Sequence, residues 1–188
     1  KVEWNSIDPA GSGDKFISDG GSTIDVTLKI VGIAENVTKY PINDYEEPRV
    51  GTAPNASEWN AIADGLQATW ASRDEHYALH EVPQVKQQDV ATVYAWKGER
   101  ANVQAVLYSK TDEGMLSLRT TEWTKAGEKT GINAAEARFM NYVITDDFKA
   151  CGNHPSGLEA WLVPDIIDQD KPHAVPAMET RPVWCTIE

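Results

Sequence analysis

Apolar and polar residues alternate with a period of two through most of this chain, the pattern of strands that bury one face. Ile24, Val26, Leu28 and Ile30 alternate with Asp25, Thr27 and Lys29, which predicts one half-buried strand. Val103, Ala105 and Leu107 share a side, with Gln104 and Tyr108 opposite, and Leu116 and Leu118 flank Ser117. Phe139 to Ile144 is a run rich in strand-forming residues that fits a strand buried on both faces. Leu158 to Val163 and Val183 to Ile187 are two further strands. Turn-forming clusters separate them: Asp19-Gly20-Gly21-Ser22, Asp112-Glu113-Gly114, Gly127 to Gly131, and Asn153-His154-Pro155-Ser156-Gly157. Many short strands with such spacing predict an all-β fold, an antiparallel β-sandwich.

One short helix of about two turns is predicted, capped by Asn55 or Ser57. Trp59, Ile62, Ala63 and Leu66 form its apolar stripe and Gly65 lies near its end. Tyr40 to Pro54 holds three prolines and no clear period, so it reads as a long ordered loop, as does Asp165 to Pro176. No internal repeat or composition break divides the chain, and residues 1–188 read as a single domain. Thr180 to Glu188 reads as a strand without its turn, so the domain is expected to be cut from a larger protein and to expose an unpaired edge there.

The 188 residues are 41% hydrophobic and 24% charged, close to a globular average and enough for a real core. The net charge of -12 repels polyanions and argues against nucleic acid as a partner. No apolar run reaches transmembrane length, and any export signal is expected to have been removed ahead of Lys1. Cys151 and Cys185 permit one disulfide but suit two reduced thiols equally well, and Cys185 sits in an apolar strand pattern where a buried thiol is ordinary.

Candidate chemistry is sparse. His76 and His80 are four apart, which on a helix would place both on one metal-binding face. Their segment reads as extended, where that spacing separates them by about 13 Å, so no metal is assigned. Asp165, Asp168 and Asp170 supply oxygen ligands that calcium would accept, but the EF-hand glycine and terminal glutamate are missing; a solvated loop is the better reading. Asn36-Val37-Thr38 and Asn55-Ala56-Ser57 fit the glycosylation sequon, which has meaning only in a eukaryotic secretory protein. There is no nucleophile elbow and no phosphate-binding glycine loop, and no cofactor is implied. The adjacent acids Asp74-Glu75 and Asp112-Glu113 lie in turn-like contexts and receive no catalytic role.

Seven tryptophans are the conspicuous resource: Trp4, Trp59, Trp70, Trp96, Trp123, Trp161 and Trp184. Exposed aromatic rings stack on the C–H faces of sugars, whereas buried ones fill cores and domain contacts. Trp96, beside Lys97-Gly98-Glu99, and Trp123, near a turn, are expected to be partly exposed and are the candidate sugar-contacting residues.

Glu58-Trp59, Gly65 to Asp74, Ala95 to Asn102 and Glu136 to Val143 form a succession that resembles the N-terminal domain of large Bacteroides-type secreted proteins related to glycoside hydrolase family 123. The resemblance covers roughly residues 57 to 188. Its most specific runs are Trp70-Ala71-Ser72-Arg73-Asp74 and Trp96-Lys97-Gly98-Glu99-Arg100, supported by Pro182-Val183-Trp184. It implies a bacterial protein that is secreted, periplasmic or lipid-anchored at the outer membrane. It also implies an N-terminal β-sandwich followed by a (β/α)8-type barrel that carries the catalytic acids. Characterised relatives hydrolyse β-linked N-acetylgalactosamine with help from the substrate's own acetamido group. By this resemblance the chain is the non-catalytic front of a hexosaminidase-like glycoside hydrolase, and its partner is the downstream barrel. Trp70, Arg73, Asp74 and Arg100 would then form buried ion pairs and packing, or face the barrel.

Two other readings stand beside that one. The domain could be an independent carbohydrate-binding module with glycans as partners, marked by an exposed row of aromatic rings. It could also be a surface adhesion or assembly domain that pairs by an open strand edge.

Overall fold

Strand alternation produces strands in the computed structural model, which describes residues 2–4, 22–25, 28–33, 45–49, 53–132, 135–145 and 161–188. The first strands are β1 (Val2–Trp4), β2 (Ser22–Asp25) and β3 (Leu28–Ile33), followed by the helix α1 (Ala56–Ala61). Then come β4 (Gln67–Ala71), β5 (Ala101–Ser109), β6 (Met115–Thr120), β7 (Thr124–Lys125) and β8 (Glu128–Lys129). The chain finishes with β9 (Ala135–Thr145), β10 (Trp161–Ile167), β11 (His173–Ala174) and β12 (Glu179–Ile187). The fold is all-β with antiparallel pairing and one short helix. No helix among the described residues is long and apolar enough to cross a membrane.

The largest sheet has five strands in the order β10-β9-β12-β5-β4. A three-stranded sheet runs β11-β6-β3, and a four-stranded one runs β1-β2-β7-β8. Val103, Ala105, Leu107, Ala137, Phe139, Val183 and Cys185 project from one face of the five-stranded sheet into a common core. Leu116 of β6, Val175, and the partly buried Leu118, Ala91 and Val93 close that core from the other side. A second apolar cluster, Ala95, Ala101, Trp123, Ala135 and Ile187, lies at the end where β12 leaves the sheet.

The opposite face of the large sheet is also covered. Gln104 donates to the carbonyls of Ser72 and Glu75, and the Thr180 hydroxyl donates to Glu81 O. The chain from Ser72 to Glu81 is therefore bonded across this face. With both faces covered, β5 and β12 carry no exposed residue and β9 only Glu136 and Ile144.

Several predicted boundaries move. The expected strand over Ile24 to Ile30 is divided: β2 pairs with β1 and β7, whereas β3 pairs with β6 in another sheet. The helix is shorter than two turns. Asn55 caps it by accepting from Ser57 N–H, and by Ile62 the backbone is already extended. Asp165 does not lie in a loop but in β10, where the register shifts between Pro164 and Ile166 as a bulge absorbs it. Of the expected strand over Leu158 to Val163, residues 158–160 lie outside the described residues. β12 is not an edge, because β5 pairs along its whole length and β9 along Val183–Ile187. The open edge expected at the last strand is absent because that strand sits in the middle of the sheet.

The β9–β12 ladder stops at the pair Phe139–Val183, and Pro182 accounts for it. Residues two apart in a strand point their N–H groups the same way. Thr180 N–H goes to Leu79 O, so the N–H that Pro182 lacks would have pointed to that same side. Beyond this point β9 and β12 diverge and leave a wedge filled by Tyr142 and by residues 45–49.

Candidate functional site

Two regions combine unusual chemistry with defined geometry. The first is the extended segment from Val90 to Trp96. Just before it, the chain lies along the outer edge of β4: Trp70 N–H donates to Gln88 O at 3.1 Å, and Gln88 N–H donates to the Thr69 hydroxyl at 2.8 Å. From there the period-two pattern persists without a paired strand. Ala91 and Val93 pack on the main core and Ala95 is buried in the second cluster. Val90, Tyr94 and Trp96 are 52%, 68% and 47% exposed, and Thr92 is exposed between them. Opposite parity thus sends the aromatic rings outward while the small residues anchor the segment. A tight turn follows, with Glu99 N–H donating to Trp96 O, the Glu99 carboxylate accepting from Trp96 N–H, and Gly98 at φ +82°. Glycine suits that turn because the left-handed region strains other residues. Beside the row is a shallow groove of about 350 Å³ lined by Arg73, Thr92, Tyr94 and Asn102.

The second region is the wedge between β9 and β12. Arg181, buried, donates to Glu47 at 2.5 Å and to Glu179 at 2.8 Å. Arg49 reaches Glu179 from the surface. Arg181 lies over the Tyr142 ring, 5.4 Å from its centroid. The carbonyl oxygens of Tyr77 and Thr180 both lie 2.8 Å from the Tyr142 hydroxyl and share its one proton, while the Tyr142 backbone N–H donates to Glu47. Burial alone would push the Glu47 carboxyl up, but hydrogen bonding and attraction from Arg181 outweigh it and hold Glu47 below its ordinary range. Burial and the nearby Arg181 push His173 down, and its Nε2 lies 2.9 Å from Asn141 Oδ1. Each charge is matched inside the wedge, the arrangement of an internal clamp. Sequence reading missed it. Glu179 and Arg181 occupy the same parity as Val183 and Cys185, which marked them for burial, but Glu47 is remote in a segment with no period.

The predicted site residues scatter. Trp96 is exposed as expected. Trp123 is not: it is 5% exposed and packs in the cluster with Ala95, Ala101 and Ile187. Its proximity to a turn misled the expectation, because that turn folds back, with Thr130 N–H on Trp123 O and Trp123 N–H on Ile132 O. The two tryptophans therefore do not form a joint binding surface. Trp70 is half-buried, packs on the main core and donates from its indole to Asp89 O at 3.2 Å. Arg73 and Asp74 form no buried ion pair; both are exposed, 3.9 Å apart. Arg100 pairs with Glu188, again at the surface.

Trp59 is fully buried with its indole on His80 O, and the side chains of Trp4 and Trp161 lie outside the described part. Cys185 is a free, buried thiol pushed up to about 12 by burial, and Cys151 lies outside the described residues. Asp168 is buried, not solvated, with Lys171 at 3.3 Å, while Asp165 and Asp170 are exposed. Among the described residues no group of three or more histidine, cysteine or acidic side chains is placed to hold a metal.

A family model described as the glycoside hydrolase 123 N-terminal domain matches residues 70–188. The match begins inside β4 and runs through β12, so it takes in the rest of the five-stranded sheet and its core. No curated protein matches the chain.

Proposed function

The chain belongs to the glycoside hydrolase 123 N-terminal domain family, and from that premise we propose that it is the non-catalytic accessory domain of a glycoside hydrolase, seated against a downstream catalytic barrel. The observation that carries this reading is the family match itself, which covers most of the five-stranded sheet, from within β4 through β12. The geometry supports it in two ways. The buried Arg181 is spent on Glu47 and Glu179 within the fold, which suits a scaffold. Secondly, the second apolar cluster and the Arg100–Glu188 pair tie down the end of β12, which suits a firmly held scaffold. We propose in addition that it is a bacterial protein acting on glycans outside the cytoplasm, secreted, periplasmic or lipid-anchored.

The test compares the intact parent protein with a version lacking this domain. The accessory reading expects the barrel to melt at a lower temperature, or to lose solubility, when the domain is removed. Equal melting temperature and equal hydrolysis of aryl glycosides would overturn it.

A further inference from the structure

We infer that the row Thr92, Tyr94 and Trp96, together with the groove bounded by Arg73 and Asn102, is a binding site for a pyranose oligosaccharide. The site goes beyond a scaffolding role and does not depend on it.

Tyr94 and Trp96 project from one side of an extended segment, two residues and so about 7 Å apart. That spacing lets one oligosaccharide lie along both rings. The rings are held out by burial of Val93 and Ala95 beneath them and by the Trp96–Glu99 turn, so little ordering remains to be done on binding. A pyranose presents apolar C–H faces and a rim of hydroxyls, and the site offers a partner for each. The aromatic faces take the C–H groups. Thr92, the Arg73 guanidinium and the Asn102 amide reach the hydroxyls from the groove. Asn102 Oδ1 already accepts from the Thr186 hydroxyl at 3.1 Å, which leaves the amide nitrogen to donate. Arg73 is only loosely held by Asp74 at 3.9 Å. The groove, at about 350 Å³, lies at the small end of ligand sites, which run from about 300 Å³ upward. A protein partner fits less well, because the row is one side chain wide and is bordered by exposed Lys97, Glu99 and Arg100.

The experiment probes the chain on a printed array of neutral pyranose oligosaccharides, then titrates the strongest binder calorimetrically. Tyr94→Ala and Trp96→Ala should each weaken binding about tenfold, the size of a lost stacking contact. Ile167→Ala, exposed on the opposite edge of the sheet, should leave it unchanged. Circular dichroism and melting establish that the variants are folded. A second readout uses the unaltered chain: sugar should shift the indole N–H resonance of Trp96 and not that of buried Trp59. Silence across the array, or binding indifferent to both aromatic substitutions, overturns the inference. Neither result touches the accessory-domain reading, which is decided by the melting comparison of the parent protein.

Discussion

Replacing Arg181 by methionine removes the only cation buried between Glu47 and Glu179 among the described residues, and the structure sets the size of the loss. The Arg181, Glu47 and Glu179 side chains are 1%, 10% and 4% exposed. Breaking a buried pair from one side typically costs about 3–5 kcal/mol, because a charge is left in low dielectric without its partner. The lower end applies here. Glu179 keeps Arg49 at 2.5 Å and Glu47 keeps the Tyr142 N–H at 2.8 Å, so neither carboxylate is wholly abandoned. A loss of about 3 kcal/mol should lower the melting temperature by roughly 6–12 °C in a domain of this size. Urea unfolding followed by tryptophan fluorescence measures it directly. Arg181→Met combined with Glu47→Gln completes a double-mutant cycle. The second substitution should cost less in the methionine background than alone, with a coupling above about 1 kcal/mol. A loss under about 1 kcal/mol for Arg181→Met, or a coupling near zero, would refute the clamp.

Three further outcomes follow from the same structure. Stability should fall on acidification: Glu47 and His173 both have folded values below their ordinary 4.5 and 6.5, so their contributions are intact above those values and are lost as pH drops through the folded ones. Urea midpoints should therefore decline from pH 7.5 to 5.5 and again towards pH 3.5, and His173→Gln should flatten the first step; a midpoint that rises on acidification contradicts this. Cys185, pushed up to about 12 by burial, should resist a thiol reagent at pH 8 in the native state and react at once in denaturant; fast native labelling of Cys185, located by peptide mapping, would show that its cover opens. Trp59→Ala should cost about 3–5 kcal/mol, because the ring is fully buried and its indole bonds His80 O; a loss below about 1 kcal/mol in urea unfolding would contradict that burial.

Local pattern made the strands legible: alternation marked β5 and β6, and runs of strand-forming residues marked β9 and β12, each to within a few residues. It missed the division of β2 from β3, since alternation records burial and not the sheet to which a strand belongs. It also made β12 look like an orphan edge. Strand order depends on partners far apart in sequence, here β5 and β9, and no local pattern encodes that.

The site residues show the same division between local and distant causes. Trp96 was legible because Lys97-Gly98-Glu99 writes its turn locally, whereas Trp123 sits in an equally turn-rich stretch and is buried by a distant neighbour, Ala95. The two outcomes are linked. Ala95 can pack in the cluster with Trp123 only if Tyr94 and Trp96, on either side of it, face away. Burial of one aromatic thus fixes the exposure of two others. The core contact that corrects the Trp123 expectation is also what presents the Tyr94–Trp96 row to solvent. It follows that enlarging Ala95 should disturb both at once: Ala95→Phe would crowd Trp123 and shift the segment, whereas Trp96→Ala should remove the outward ring and leave the cluster beneath it standing.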